Sequence, residues 1–140
     1  MNLTSYKKAL LEGLHEFLRP QGFRRKQNIF TLSRGDMTYY ICLQSSIHST
    51  DDTLIATVNI ETASASQYRQ EELSIPEPLY RSSVKNIGEY EGQAKPHWWT
   101  IRDESSLQAA RQMITEMLRR HVLNGFTLSG GQGAQRAMAW

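Results

Sequence analysis

The chain has 140 residues, of which 39% are hydrophobic and 21% charged, and its net charge is +2. This length suits one domain with a single core, and the composition is ordinary for a soluble globular protein. So small a net charge does not make nucleic acid the default partner. A single cysteine, Cys42, excludes an internal disulfide framework and favours a reducing compartment.

The amino-terminal residues and the hydropathy pattern argue against secretion and against a membrane span. Lys7 and Lys8 interrupt the start before an apolar run can form. No window approaches the roughly 20 apolar residues that a membrane span needs. These features predict a cytoplasmic protein without a membrane partner.

Apolar residues recur at three- and four-residue steps near both ends of the chain, which predicts two amphipathic helices. The first covers about residues 5–19 and stops at Pro20-Gln21-Gly22, because proline cannot continue a helix and glycine tolerates the reversal. The second covers about residues 105–122 and ends at Asn124-Gly125.

Between the helices, alternation of apolar and polar residues predicts strands at about 27–33, 37–46 and 53–62. A polar excursion at 63–78 follows, and residues 79–87 and 98–101 could form a fourth and a fifth strand. The second and third strands each have one apolar and one mixed face, which is typical of an antiparallel sheet covered on one side. The apolar face carries Tyr39, Ile41, Val58 and Ile60.

The expected fold is therefore α+β. It is a two-layer sandwich in which an antiparallel sheet of about four to five strands is covered on one face by the amino- and carboxyl-terminal helices. Residues 1–126 would form this single domain. Residues 127–140 contain several glycines and little periodicity, so they are expected to form a flexible tail.

No segment predicts a catalytic, cofactor or metal site. Cys42 lies between two apolar residues of a predicted strand, which is typical of an unreactive buried thiol. The four histidines are scattered without metal-ligand spacing. The tail sequence Leu128-Ser129-Gly130-Gly131-Gln132 resembles the signature of ABC transporter ATPases, but that chemistry also needs a phosphate-binding loop that the chain lacks. We interpret this motif as a coincidence.

The candidate binding residues lie on the second face of the predicted sheet, where hydrogen-bonding groups accompany an aromatic ring. An ordinary hydrated surface and a binding surface are equally compatible with this pattern. The residues that project there are Thr31, Tyr40, Gln44, Thr57, Asn59 and Glu61.

Two further segments are candidates for binding. Trp98 and Trp99 should point to opposite sides of a strand, so that one is buried and the other at least partly exposed, and exposed tryptophan is enriched at protein interfaces. Arg24-Arg25-Lys26 could grip phosphates beside aromatic residues that stack on bases. Three basic residues supply only a modest electrostatic attraction.

Several short motifs along the chain form a recognisable set. They are Gly22-Phe23-Arg24-Arg25-Lys26, Asn28-Ile29-Phe30, Leu43-Gln44-Ser45-Ser46, Thr57-Val58-Asn59-Ile60, and Ile87-Gly88 with Trp98-Trp99 ten residues later. Together they resemble an uncharacterised bacterial family, domain of unknown function 4304. The resemblance covers about residues 5–123 and implies no established activity and no catalytic residues. Small proteins of this kind often serve as immunity or accessory proteins in bacterial toxin systems, which makes protein binding a reasonable analogy.

Three functions remain open, and none of them calls for a cofactor. The favoured one is a module that binds another protein, such as a cognate toxin, or a second copy of itself. The second is a nucleic-acid-binding protein that uses the basic segment. The third is an enzyme or small-ligand protein, which would require a pocket formed by residues such as Tyr40, Cys42, Gln44 or His48.

Overall fold

The computed structural model describes residues 2–64 and 83–123, which form one antiparallel sheet and two long helices. Three short helical turns accompany them, at Arg19–Gln21, Ile87–Glu91 and Leu118–Leu123. The elements in chain order are α1 Leu3–Leu18, β1 Arg24–Lys26, β2 Ile29–Arg34, β3 Met37–Ser45, β4 Leu54–Ser64, β5 Ser83–Asn86, β6 Trp99–Ile101 and α2 Glu104–Met117.

The sheet has the strand order β1-β2-β3-β4-β5, and β6 also pairs with β4. Both β5 and β6 lie on the side of β4 away from β3. β5 pairs with residues 59–62 of β4, and β6 pairs with residues 54–56. The two short strands therefore leave a gap beside residues 57 and 58, where no described strand pairs with β4.

Local sequence explains where the two helices begin and end. The side chain of Asn2 accepts a hydrogen bond from the backbone amide of Ser5 at the start of α1 (2.9 Å). Gly22 adopts a φ of 102° just after α1, a conformation that glycine takes at little cost. Asp103 caps α2 by accepting from the amide of Ser106 (2.7 Å), and this bond lowers the pKa of its carboxyl group.

Both helices pack on the face of the sheet predicted to be apolar, and a single hydrophobic core lies between them and the strands. Tyr39, Ile41, Val58 and Ile60 are all fully buried there. The predicted α+β sandwich with two terminal helices on one face is confirmed. Among the residues described, neither helix combines the length and the apolar content that crossing a bilayer requires.

The main difference from the predicted architecture is an additional edge strand, β1, formed by the basic segment itself. Its charges hid it from a search for apolar alternation, although charged side chains are common on edge strands because they discourage pairing with another chain. The predicted first strand, 27–33, is wrong at its start. Gln27 has a φ of 56° and lies in a turn, so the strand begins only at Ile29.

The remaining boundaries shift by a few residues. β5 is described from Ser83 to Asn86, so residues 79–82 of the predicted fourth strand lie outside the described residues, and β6 is Trp99–Ile101 where 98–101 was predicted. The second predicted helix divides into α2 and the wider turn Leu118–Leu123. Most of the predicted polar excursion, the glycine-rich motif and the proposed tail at 127–140 lie outside the described residues.

Candidate functional site

The face of the sheet opposite the helices carries the predicted binding residues. We call it the open face, because α1 and α2 both pack on the other side. Antiparallel register places Thr31, Tyr40, Glu61 and Val84 in one row across four strands. A second row runs from Ile29 through Cys42 and Asn59 to Asn86, and Gln44 lies opposite Thr57 beyond it.

Two apolar side chains are exposed on this surface. Ile29 on β2 is 39% exposed and Val84 on β5 is 62% exposed, and they lie in neighbouring rows. Tyr40 lies between them and is partly exposed. Charged residues flank them, with Lys26 beside Ile29 and Glu61 between Tyr40 and Val84. The open face is thus mixed in polarity rather than uniformly polar.

Asn86 is the most highly connected polar side chain near the open face, and it is only 7% exposed. Its amide nitrogen has two N–H groups, which are shared among three acceptors: the Thr57 hydroxyl (2.9 Å), the Val58 carbonyl (3.2 Å) and the Asn59 side-chain oxygen (2.9 Å). Its amide oxygen accepts from the backbone amides of Gly88 (2.9 Å) and His97 (3.0 Å). The acceptors lie beside the nitrogen and the donors beside the oxygen, so the hydrogen bonds define the orientation of the Asn86 side-chain amide.

These bonds fill the gap between β5 and β6. The Val58 carbonyl has no strand partner on that side, and the Asn86 side chain takes the place of one. The Thr57 hydroxyl also donates a short hydrogen bond to the carbonyl of His97, so the loop that leads into β6 is fixed to β4. Because an unpaired buried polar group costs free energy, this network determines how β5, the following turn and β6 are joined to β4.

Three of the predicted binding-face residues belong to this network. Asn59 donates to the side-chain oxygen of Gln44 (2.6 Å) while accepting from Asn86. Thr57 is only 1% exposed and is hydrogen-bonded on both sides. Gln44, Thr57 and Asn59 therefore have structural partners of their own. Tyr40, the predicted aromatic residue of this face, is not among the partners of Asn86, Asn59 or Thr57.

Sequence reasoning missed Asn86, although its surroundings contain a usable signal. The side chain of Asn86 caps the turn Ile87–Glu91. The backbone amide of Asn86 donates to the carboxylate of Glu89 (2.8 Å), which completes a capping box. Gly88 follows two residues later, and a Cβ there would lie 3.1 Å from the amide nitrogen of His97. An asparagine two residues before a glycine is typical of such a turn. The hydrogen-bond partners of Asn86 on β4 could not be predicted, because they lie up to 29 residues away along the chain.

Strand alternation divides the predicted basic patch. Arg24 and Lys26 lie in the rows of Thr31 and Ile29 on the open face, whereas Arg25 lies opposite Phe30 on the helix side. The guanidinium of Arg25 donates through Nε to the carbonyl of Gln27 (2.7 Å). Arg24, Arg25 and Lys26 therefore do not form one continuous surface.

The two tryptophans have different environments, as predicted. Trp99 is buried, packs against the imidazole of His97 at 4.4 Å between ring centroids, and donates from its indole to the sulfur of Met113 (3.2 Å). Trp98 is 39% exposed immediately before β6. Trp99 therefore belongs to the core, and only Trp98 remains available to a partner.

Cys42 is partly buried on the open face, in surroundings that raise the pKa of its thiol. Burial raises its pKa, and the negative charge of Glu61 raises it further, while Lys7 opposes these effects more weakly. Asn28 approaches the sulfur at 3.6 Å through its side-chain amide. This setting disfavours the thiolate that nucleophilic catalysis would need.

We expect the Cys42 thiol to react with iodoacetamide several-fold more slowly at neutral pH in the native protein than in denaturant. Glu61→Gln should accelerate the native reaction, because it removes one of the charges that raise the thiol pKa. Glu12→Gln, the same change on α1, serves as the control and should leave the rate unaltered. Equal rates for native and denatured protein, measured by mass spectrometry, would contradict this assignment.

Three surface grooves are formed entirely by described residues, with volumes of about 560, 370 and 270 Å³. Tyr40, Cys42, Gln44 and His48 line none of these three grooves, so those residues do not converge there as an enzyme site would require. Within 2–64 and 83–123, no group of three or more metal-binding side chains is close enough to hold an ion.

The chain matches the family model described as Domain of unknown function (DUF4304) over residues 14–128. No curated protein matches the chain. No solved structure matches it either. The matched range contains every strand and the whole of α2, and it begins within α1. The chain therefore belongs to the family of domain of unknown function 4304.

Proposed function

We propose that this protein is a binding module that recognises another protein through the open face of its sheet. The observation that carries the proposal is the mixed character of that face. Exposed Ile29 and Val84 accompany Tyr40, while Lys26 and Glu61 supply charges of both signs. Aromatic and aliphatic side chains surrounded by polar ones are the usual make-up of a protein interface.

The rigidity of the surface supports this function. Tyr40 and Glu61 are directly opposite each other on the two longest strands, β3 and β4, which pair over nine residues. The hydrogen bonds of Asn86 hold β5, and with it Val84, in register at the edge. A surface that is ordered before binding loses less conformational entropy when a partner docks.

The partner class that the family resemblance favours is a toxin neutralised by this protein, and the alternative protein partner is a second copy of the chain. Both would use the same face, so one set of variants tests both. The protein encoded by the gene next to the one for this chain is the first candidate partner to purify, because toxin and immunity genes are expected to be neighbours.

Nucleic acid is the less favoured alternative. Arg24 and Lys26 remain on the open face, but Arg25 lies on the other side of the sheet. Two lysine or arginine contacts to phosphate give a shallow dependence of affinity on salt, with a slope of about −2 in a plot of log K against log salt concentration. An affinity for nucleic acid that does not change with salt concentration would exclude this alternative.

The test compares variants of the open face with a control elsewhere. Tyr40→Ala combined with Val84→Ser removes two side chains of the open face while leaving the Asn86 network in place. Ile47→Ser removes an apolar group that is 94% exposed in the loop between β3 and β4. Affinity for the purified neighbouring gene product should fall at least about tenfold in the double variant and remain unchanged in Ile47→Ser.

Sedimentation equilibrium of the same three proteins tests self-association. The proposal is overturned if the double variant binds the partner as tightly as the natural sequence does. It is also overturned if the protein neither binds the neighbouring gene product nor associates with itself.

A further inference from the structure

A second surface, on the helix side of the sheet, carries a concentration of positive charge inside a groove. The groove has a volume of about 560 Å³. Leu3, Lys7, Lys8 and Leu11 of α1 form one wall, and Arg25 of β1 and Ser45 at the end of β3 contribute to the other side. Three basic residues from two distant parts of the chain thus line the same groove.

These three cations are not neutralised within the described part of the chain. No carboxylate lines the groove, and Lys7, Lys8 and Arg25 form no ion pair with any residue in 2–64 or 83–123. The first turn of α1 also lacks an acidic side chain. Like charges gathered in one concave site repel each other, so the free protein is less stable with them than with neutral residues.

The position of Lys7 is unusual for a lysine. It lies four residues from both Leu3 and Leu11, on the side of α1 where the helical period places apolar residues, and it is half-buried. The apolar stem of a lysine can lie against leucines at such a position, and the ammonium group of Lys7 forms no ion pair with the residues described. Residues that contradict the local pattern without a structural gain are typical of functional sites.

The serine hydroxyls around the groove differ in whether they already form hydrogen bonds within the protein. Ser46 accepts from the amide of His48 (3.0 Å), and Ser49 accepts from the amide of Ile55 (3.0 Å), so both are used by their own loop. The hydroxyl oxygen of Ser45 is buried and has no hydrogen-bond partner among the described residues. Ser45 is therefore the serine of the groove whose hydroxyl is not used by the described residues.

We propose that this groove binds a small phosphomonoester, with its phosphate between Lys7, Lys8 and Arg25 and its apolar body against Leu3 and Leu11. A phosphate dianion matches several cations and has three acceptor oxygens for lysine, arginine and serine donors. Because Arg25 uses only Nε on Gln27, its two terminal nitrogens remain for the phosphate. The volume lies within the range of small-molecule sites.

The experiment measures binding to the full chain by NMR titration, with phenyl phosphate, inorganic phosphate and benzyl alcohol as probes. Phenyl phosphate should bind most tightly, because it alone engages both the cations and the apolar wall. Inorganic phosphate should bind more weakly at the same residues, and benzyl alcohol should not saturate. Tighter binding of inorganic phosphate than of phenyl phosphate would overturn the role of Leu3 and Leu11.

Two neighbouring residues on β1 provide a matched pair of variants. Arg25→Gln should weaken phenyl phosphate binding about tenfold, since a hydrogen bond to a charged group is removed. Arg24→Gln makes the same change in charge on the opposite side of the sheet. It should lower the affinity less than twofold, because it removes only a general electrostatic attraction. Equal losses in the two variants would overturn the proposal in favour of non-specific attraction.

Thermal unfolding supplies a second readout that does not depend on an activity. Without ligand, Lys7→Gln should be at least as stable as the natural sequence, because one repelling charge has been removed. With phenyl phosphate present, only the natural sequence should gain the full increase in melting temperature. A Lys7→Gln protein that is less stable without ligand yet keeps the full ligand-induced increase would show that Lys7 has a structural role, and this would overturn the assignment.

Discussion

Replacing Asn86 with alanine is expected to lower the free energy of unfolding by about 3–5 kcal/mol, a large effect for one surface-proximal residue. The change removes all five hydrogen bonds of the side chain. The amides of Gly88 and His97 and the carbonyl of Val58 would lose a partner at the gap between β5 and β6. Chemical denaturation followed by circular dichroism measures the loss.

Two further variants separate the network from general effects of truncation. Gln44→Ala removes the exposed end of the same chain of hydrogen bonds and should cost less than about 1 kcal/mol. Asn86→Asp keeps the acceptor for the amides of Gly88 and His97 but replaces the three donor contacts with a buried carboxylate, so it should be nearly as destabilising as alanine. An Asn86→Ala protein within about 1 kcal/mol of the natural sequence would contradict a central role for this side chain.

The second large effect is a contrast between two neighbouring residues of β3. Ile41→Lys should prevent folding, with a loss above about 4 kcal/mol, because it places an unpaired charge in the centre of the core. Ile41 is fully buried beneath the helices. Tyr40→Lys places the same side chain on the open face, directly opposite Glu61, and should change the stability by less than about 1 kcal/mol.

The pair tests which face of the sheet is covered. Both variants carry the same new residue one position apart, so helix or strand propensity cannot account for a difference between them. Amide NMR spectra distinguish a folded from an unfolded chain directly. If Tyr40→Lys unfolds the protein as Ile41→Lys does, then the face that we call open is covered in solution, and the proposed protein interface is lost with it.

Much of the fold could be read from periodicity alone. The apolar residues of β3 and β4 alternate strictly, and those of α1 and α2 recur at helical spacing, so strand, helix and buried face were all predictable. The same alternation predicted that one of Trp98 and Trp99 is buried and the other exposed, but it did not predict which. These features depend on local sequence, where the physical rule links residues a few positions apart.

The candidate sites were harder to predict, for a geometric reason. Arg24, Arg25 and Lys26 are consecutive, but a strand sends alternate side chains to opposite faces, so the segment contributes to two surfaces. Recognising β1 as a strand would have sufficed to see this. The bonds from Asn59 to Gln44 and Asn86 could not be inferred in the same way, because hydrogen-bond partners across strands depend on register.

Local patterns in the sequence suffice to specify the two-layer architecture and the buried face, because binary patterning and turn residues act over short distances. The contacts of Asn86 cannot be derived in this way, since they form only when β5 and the loop before β6 lie beside β4. The groove lined by Lys7, Lys8 and Arg25 likewise requires α1 to pack beside the end of the sheet. Both arrangements join residues that are far apart in the chain.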